Sequence, residues 1–533
     1  MIRVKNLRIP YDTVQSIEEL AAERLCIQRE AVQEVHIVRK ALDARRYRGA
    51  PIVWVYELDV QVADECAVRA RFRKDTMITV CPKECALQSA PQMKARCAAH
   101  IMRPVIVGFG PAGIFAALTL ARAGAAPLVL ERGQDVDTRT RDVAHFWRTG
   151  QLNPSSNVQF GEGGAGTFSD GKLTARSHDA RQREIIDAFI AAGAPEEIRY
   201  LQKPHIGTDV LCTVVKNLRA EIIRLGGEVR FGAHVTGLEC RAGHLAALIV
   251  NDTDRIPLDA AFMGIGHSAR DTYEMLFASG VWMEPKAFAV GVRIEHPQTF
   301  IDRMQYGTAA GDERLPVADY ALTYRDETRG VYSFCMCPGG TVVAAASETG
   351  GVATNGMSTY RRNSGVANSA LLVQVNPMDW HGDVLGGIRF QRTLETAAFE
   401  LGGGDYFAPV QSVGDFIRGN SSMQDFAVVP TYAPGVRPAR LHEAFPGDIA
   451  AALARALTYW ELRMPGFGAV DIPMTGIESR SSAPCRIVRD AETMQAVRTP
   501  GLYPIGEGAG YAGGIMSAAL DGMKAALSYL ENQ

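Results

Sequence analysis

The chain has 533 residues, 47% of them hydrophobic and 22% charged, with a formal net charge of −3. That length implies several domains with sizeable cores, and the composition excludes a disordered or fibrous chain. The near-neutral balance, with a sequence pI of about 6.4, removes any overall attraction to polyanions, so nucleic acid is not an expected partner.

Residues 1–98 read as a small α+β domain. Ser16-Ile-Glu-Glu19 is a capping box, which starts a helix at about Ile17. Glu34 to Lys40 reads as a strand. Ile52, Trp54, Tyr56, Leu58, Val60 and Val62 alternate with more polar residues, the pattern of a half-buried strand. Between them, Lys40 and Asp43-Ala-Arg-Arg-Tyr-Arg48 form a short basic stretch. A solvated hairpin is the plainer reading of it, and a patch for RNA or an acidic partner the sharper one. Cys81 and Cys85 are poorly spaced for zinc and no second ligand pair follows, so no metal is expected. The ten cysteines are scattered without a C-x-x-C, which fits a reducing, cytoplasmic setting. No apolar run follows the basic N-terminus, so no signal peptide is expected. Val105 to Leu130 is apolar and near membrane-span length, but it holds Arg122, four glycines and two prolines. A nucleotide fingerprint explains that stretch better, and no membrane span is expected.

Residues from about Gln88 to Met102 read as a linker, and 99–284 as the first part of a dinucleotide-binding domain. Val105-Ile-Val-Gly108-Phe-Gly110-Pro111-Ala112-Gly113 runs from an apolar strand into a glycine turn. A helix, Ile114 to Ala123, and a second strand, Pro127 to Leu130, follow. Glu131 ends that strand, 23 positions after Gly108, with Arg132 beside it. Gly108 suits the tight turn, Gly110 the approach of a pyrophosphate, and Gly113 close packing of helix on strand. The helix N-terminus favours the phosphates, and Glu131 can accept from adenosine ribose hydroxyls. A second glycine-rich segment, Asn157 to Lys172, contains Gly163, Gly164, Ala165, Gly166, Thr167, Ser169, Asp170 and Lys172. Four glycines within six residues allow close backbone approach, here to the pyrophosphate and a ring, and Lys172 or a backbone N–H can hydrogen-bond that ring.

Residues 285–465 hold many strand-like pieces and no fingerprint, and read as an inserted α+β substrate or cap domain. Residues 466–533 return to the cofactor. There Gly506-Glu507-Gly508-Ala-Gly510-Tyr-Ala-Gly513-Gly514-Ile515-Met-Ser517 is a strand end, a glycine turn and a helix start. Such an arrangement lets the acidic residue bond a ribityl chain while the helix N-terminus faces the flavin N1 and C2 carbonyl, where a reduced flavin is negative. The fold class is therefore α/β, with a Rossmann-like FAD-binding domain assembled from discontinuous segments.

These segments, with Pro338-Gly-Gly and Glu478-Ser-Arg480-Ser-Ser-Ala-Pro484, resemble the uncharacterised FAD-dependent dehydrogenases of the glutathione-reductase-like, two-motif flavoprotein superfamily. The resemblance covers the whole chain. It implies that Val235, after Gly227-Glu-Val, contacts adenine, and that Gly264 and Gly266 in Met263-Gly-Ile-Gly266-His267-Ser268 return to the nucleotide. The chain departs from the wider superfamily in two ways. The paired redox cysteines soon after the first motif are absent. No second G-x-G-x-x-G occupies the middle, so NAD(P)H is possible as reductant but has no fingerprint of its own.

The expected activity is hydride transfer between flavin N5 and an unidentified small molecule, with a protein electron donor or acceptor also possible. A flavin monooxygenase and an FAD-dependent RNA-modifying or flavin-bearing binding protein are the alternatives. A flavin needs the protein mainly to orient substrate and move a proton. The candidates for that work are His205, His267, Lys172, and Glu478 with Arg480. Glu478 and Arg480 could instead form a structural pair, and a free Arg480 would suit an acidic substrate. Cys335 and Cys337, two apart on a strand, share a face and could approach a flavin, although inert cysteines are common.

Overall fold

The alternating apolar residues of the N-terminal segment build a four-stranded antiparallel sheet. In this computed structural model, which describes residues 1–45, 50–81, 102–174, 179–420 and 425–532, its order is Val32–Asp43, Val53–Val62, Ile2–Pro10, Ile78–Val80. Helices Ile17–Leu25 and Glu65–Arg71 complete a ferredoxin-like β-α-β-β-α-β unit. The expected capping box is present: Glu19 N–H donates to Ser16 Oγ at 3.2 Å and Ser16 N–H to the Glu19 carboxylate at 2.8 Å. Leu58, Val60, Ile2 and Val4 pack with Ala21 and Leu25 of the first helix. The long strand docks on the rest of the molecule: Lys40 N–H donates to Tyr200 O at 2.7 Å and Gln202 N–H to Lys40 O at 2.9 Å. In the basic stretch, Lys40 Nζ sits 4.4 Å from the centre of the Trp54 ring, and Arg45 and Arg8 both pair with Asp43 at 2.9 Å. Arg46 to Arg48, Cys85 and residues 88–101 of the expected linker lie outside the described residues.

The fingerprint strand Val105–Val107 lies at the centre of a five-stranded sheet. The order is Leu502–Pro504, Ala261–Met263, Val105–Val107, Leu128–Leu130, Glu228–Arg230, and every pair is parallel. The strand before the second glycine turn therefore joins the sheet from the far end of the chain, as expected for a discontinuous Rossmann-like domain. Ile106 and Val129 face a layer of helices that includes Pro111–Arg122 and Ile515–Glu531. Val105, Val107, Leu128 and Leu130 face a three-stranded antiparallel sheet running from Val235 to Pro257. Both faces are covered, as parallel sheets require.

The middle of the chain forms a seven-stranded sheet. Its order is Thr323–Arg325, Gly330–Cys337, Val366–Val375, Phe288–Pro297, Pro473–Glu478, Ala408–Ser412, Val436–Pro438, antiparallel except at the last pair. Val292, Ile294, Leu371, Val373 and Met474 share a core with helix Gly447–Arg463. One placement differs from the sequence reading. Pro473–Glu478, grouped above with the C-terminal cofactor segment 466–533, is an inner strand of this sheet. Its partner strands lie some 60 and 180 positions away, and a six-residue segment carries no local sign of which sheet it will join. Among the described residues no helix is long and apolar enough to cross a membrane.

Candidate functional site

Both glycine motifs open onto one cavity of about 1260 Å³, which continues to the edge of the seven-stranded sheet. At its first end the three fingerprint glycines prove different in kind. Gly108 has φ +90°, and a Cβ there would sit 2.4 Å from Gly264 O. A Cβ on Gly113 would meet Gly108 O at 2.0 Å. These two are glycines because the chain leaves no room. Gly110 has an ordinary φ of −80°, and its nearest neighbour in the Cβ direction is Gly164 Cα at 3.6 Å. Nothing in the protein demands glycine at 110, whereas a ligand lying against the backbone of Gly110 would. The helix that begins at Pro111 has no side-chain cap, so its positive end stays available to an anion.

Glu131 lines the cavity but differs from expectation. Its carboxylate accepts from three backbone N–H groups, of Phe109 at 2.7 Å, Gly133 at 2.8 Å and Gly161 at 2.9 Å. It ties the fingerprint turn to the second glycine loop, with acceptor capacity left over for a ribose hydroxyl. Arg132 stacks 4.1 Å over the Phe160 ring and binds Asp271 through both terminal nitrogens. Val235, Gly264 and Gly266 line the same end.

The second glycine loop is held by a residue the sequence did not single out. Arg139 is fully buried and donates to five backbone carbonyls: Asn157 (2.8 Å), Val158 (2.8 Å), Gly161 (3.3 Å), Glu162 (2.7 Å) and Gly164 (2.9 Å). One arginine among the three of the helix Val136–Thr149 gives no local signal of this. Gly164, Ala165, Gly166, Ser169, Asp170 and Lys172 line the cavity, while Gly163 and Thr167 stand behind the wall and brace the turn. Thr167 Oγ donates to Glu162 O at 3.2 Å.

At the C-terminal motif, Gly506 is structural. Its φ is +73°, a Cβ there would meet the Ala112 Cβ at 2.6 Å, and its N–H donates to Asp521. Gly513 and Gly514 have open space in the Cβ direction, and the helix after them, Ile515–Glu531, also lacks a side-chain cap. Ile515 and Ser517 line the cavity with Glu507. Burial pushes the Glu507 carboxyl up to about 7, opposed by Lys286 and reinforced by Cys335. Two uncapped helix ends, facing glycines without Cβ obstruction and a single continuous cavity fit a dinucleotide carrying a ring system.

The candidate catalytic residues separate. His267 lines the cavity and shares a hydrogen bond with Ser268 Oγ at 2.9 Å. Burial, with Arg480 and Arg270 nearby, pushes it down to about 3, so it is neutral near pH 7. Glu478 and Arg480 line the cavity but do not pair with each other. Glu478 holds buried Arg293 through both oxygens, at 2.8 and 2.9 Å. Arg480 binds Glu395 at 2.9 and 2.8 Å, and its remaining nitrogen binds Ser347 Oγ at 2.5 Å. Three of its five N–H donors are committed to these partners, which holds the guanidinium in place at the cavity wall. Glu395 also binds Arg270 at 2.7 Å. Burial opposes the Glu395 charge, but Arg270 and Arg480 outweigh it and hold the carboxyl far below its usual range. Lys172 lines the cavity with its ammonium engaged by Met336 O and 3.8 Å from Asp170, which is itself bound by Arg362. His205 does not line the cavity. It stacks on Tyr360 and bonds Tyr360 O at 3.0 Å, and its role is to join two segments. Sequence spacing cannot distinguish these partners, because each pair is made across strands from distant parts of the chain.

A protein of Clostridium beijerinckii described as uncharacterized is 46% identical over 537 residues, covering 99% of this chain and 98% of that one. The chain belongs to the same family. Residues 287–481 match the family described as FAD-dependent protein, C-terminal domain-like. This match supports an FAD-dependent flavoprotein. Among solved structures, CtdE in complex with FAD is 12% identical over 80% of this chain and 84% of its own, with a TM-score of 0.33. A geranylgeranyl bacteriochlorophyll reductase-like protein of Thermoplasma acidophilum is 12% identical over 80% of this chain and 78% of its own, at 0.35. The fold described above rests on strand order, not on these likenesses. The matched region ends at Ser481, so it takes in the Pro473–Glu478 strand. Among the described residues no group of three or more metal-ligating side chains occurs.

Proposed function

We propose that this protein is an FAD-dependent oxidoreductase that transfers a hydride between the flavin N5 and a small-molecule substrate. The observation that carries the reading is the single cavity shared by the fingerprint turn, the Gly164–Lys172 loop and the Glu507–Ser517 corner, continuing past them to Glu478, Cys335 and Tyr332. Backbone around Gly110 and Gly164 would hold the pyrophosphate, and Glu131 the ribose. The helix starting at Ile515 would face the electron-rich edge of the ring. When bound, FAD supplies the hydride chemistry. The substrate would then occupy the part of the cavity bounded by the sheet edge, where Leu322, Tyr324 and Tyr332 give it an apolar and aromatic wall.

Proton handling falls to Glu507. Its carboxyl titrates near neutrality and faces the cavity, which suits a group that gives or takes a proton at working pH. His267, being neutral, serves as a hydrogen-bond partner. The RNA-directed alternative loses ground because the described part of the basic stretch is already paired with Asp43 or packed on Trp54.

The test is an absorption spectrum of the purified protein, followed by anaerobic addition of NADH or NADPH. Flavin bands are expected. Bleaching would make a nicotinamide the direct reductant despite the missing fingerprint. Persistent oxidised flavin would point to a reducing substrate or a protein partner. Failure to bind FAD on reconstitution would overturn the reading.

A further inference from the structure

The strand Gly330–Cys337 pairs with Val366–Val375 in regular register up to Phe334, opposite Ala370, and resumes with Cys337 opposite Asn368. Cys335 and Met336 therefore share one partner position, which is a β-bulge. Cys335 carries φ +43°, a left-handed conformation that a non-glycine residue rarely takes. Both carbonyls of the bulge are clamped by cations: Arg293 donates to Cys335 O at 2.9 Å, and Lys172 donates to Met336 O. Bulges of this kind re-aim a side chain, and strained backbone held by buried charges marks functional positions.

The residue re-aimed is a thiol. Cys335 lines the same cavity as Ser169 and Glu507, whereas Cys337 is fully buried behind it, with its Sγ 3.2 Å from Cys335 O. An unbent strand would place alternate Cα atoms about 6.6 Å apart, near the upper limit of about 6.8 Å for a disulfide. The bulge interrupts the regular pleat at these residues, so the spacing of an unbent strand does not apply to them. The electrostatics agree. A hydrogen bond from Cys337 lowers the Cys335 thiol, burial opposes this, and Lys172 and Arg293 lower it further. The same hydrogen bond, with burial, raises Cys337. One thiol of the pair is thus poised as thiolate and the other keeps its proton. The charge of Cys335 in turn raises Glu507, which places the thiolate within electrostatic reach of the corner assigned to the flavin ring.

We propose that Cys335 and Cys337 are a redox-active dithiol that exchanges two electrons with the bound flavin, an inference that rests on the FAD reading above. In the oxidising direction the Cys335 thiolate and Cys337 thiol form an Sγ–Sγ bond and lose two electrons and the Cys337 proton. The oxidised flavin takes up both electrons and that proton, ending as its two-electron-reduced anion. The reverse reaction opens the disulfide when a substrate has reduced the flavin. The protein thereby holds two reducing equivalents beyond those of the cofactor.

Two measurements on the flavin-loaded protein test this. In an anaerobic dithionite titration of air-oxidised protein, wild type should take up about four electrons per flavin, and Cys335→Ser or Cys337→Ser about two, since each disulfide is a two-electron couple. In parallel, wild type treated with diamide and then denatured in iodoacetamide should carry no adduct on the peptide holding both cysteines. After dithiothreitol it should carry one on each. Uptake of only about two electrons by flavin-loaded wild type, or alkylation of both cysteines after diamide, would overturn the proposal and leave the FAD reading standing. A protein that binds no FAD would overturn both.

Discussion

The two ends of the cavity are built on opposite principles. The end proposed for the dinucleotide is made of backbone: glycines, two uncapped helix starts and few side chains, with Glu131 spending its carboxylate on three main-chain N–H groups. The far end is made of buried charge: Arg293 with Glu478, Arg270 and Arg480 with Glu395, Arg362 with Asp170. The difference teaches what each end can tolerate. A backbone cradle is specified by what is missing, so one added methyl group can block it without disturbing the fold. A buried ion network is specified by what is present, so losing one partner leaves an uncompensated, poorly solvated charge.

The largest expected effect breaks the charged end. Glu395→Ala leaves Arg270 and Arg480 without their shared carboxylate and should destabilise the protein by about 3–5 kcal/mol, read as a lowered thermal midpoint. An unchanged midpoint would mean that water or a rearranged Glu348 replaces it.

At the backbone end the expected effect is on ligand and not on fold. Gly110→Val should keep its thermal midpoint in the flavin-free state yet bind FAD at least about tenfold more weakly, a loss of about 1.4 kcal/mol, measured by flavin fluorescence. Gly113→Ala sharpens the contrast. Its Cβ would lie 2.0 Å from Gly108 O, so that variant should fail to fold stably. Full flavin in a folded Gly110→Val would show that the cradle lies elsewhere.

The last prediction concerns Glu507, where the two ends meet. Its carboxyl is raised from 4.5 to about 7 in the folded chain, so folding takes up a proton between those values. Its contribution to stability therefore falls as pH rises from 4.5 to 7 and is level above that. Glu507→Gln lacks this fall. The midpoint of the variant should gain on wild type across that window and run parallel to it above 7. Parallel curves throughout would mean that Glu507 is solvated and titrates normally.

The parts of this site that were legible in the sequence are those whose partners are local. Gly108, Gly110 and Gly113, with strand and helix beside them, could be read because tight turn, approach and packing all act within a few residues. The capping box at Ser16 is of the same kind. Arg139 was not legible, because its five carbonyl acceptors lie on a loop 18 to 25 positions away. His205 was a candidate proton carrier, but its ring is committed to Tyr360, 155 positions on. Glu478 and Arg480 drew notice as neighbours, and the strand geometry sent them to different partners. The boundary at 465 failed for a related reason. Strand pairing is a long-range choice, and Pro473–Glu478 joined the sheet whose register buries Met474 against the core.

By itself the sequence determined the scaffold of strands, glycine turns and helix starts around the first motif, since these obey short-range sterics that spacing records. Only the tertiary structure decided which charges pair, which candidates face the cavity, and that a bulge turns Cys335 towards it. Those outcomes depend on strand register and burial, and both come from contacts between residues far apart in the chain.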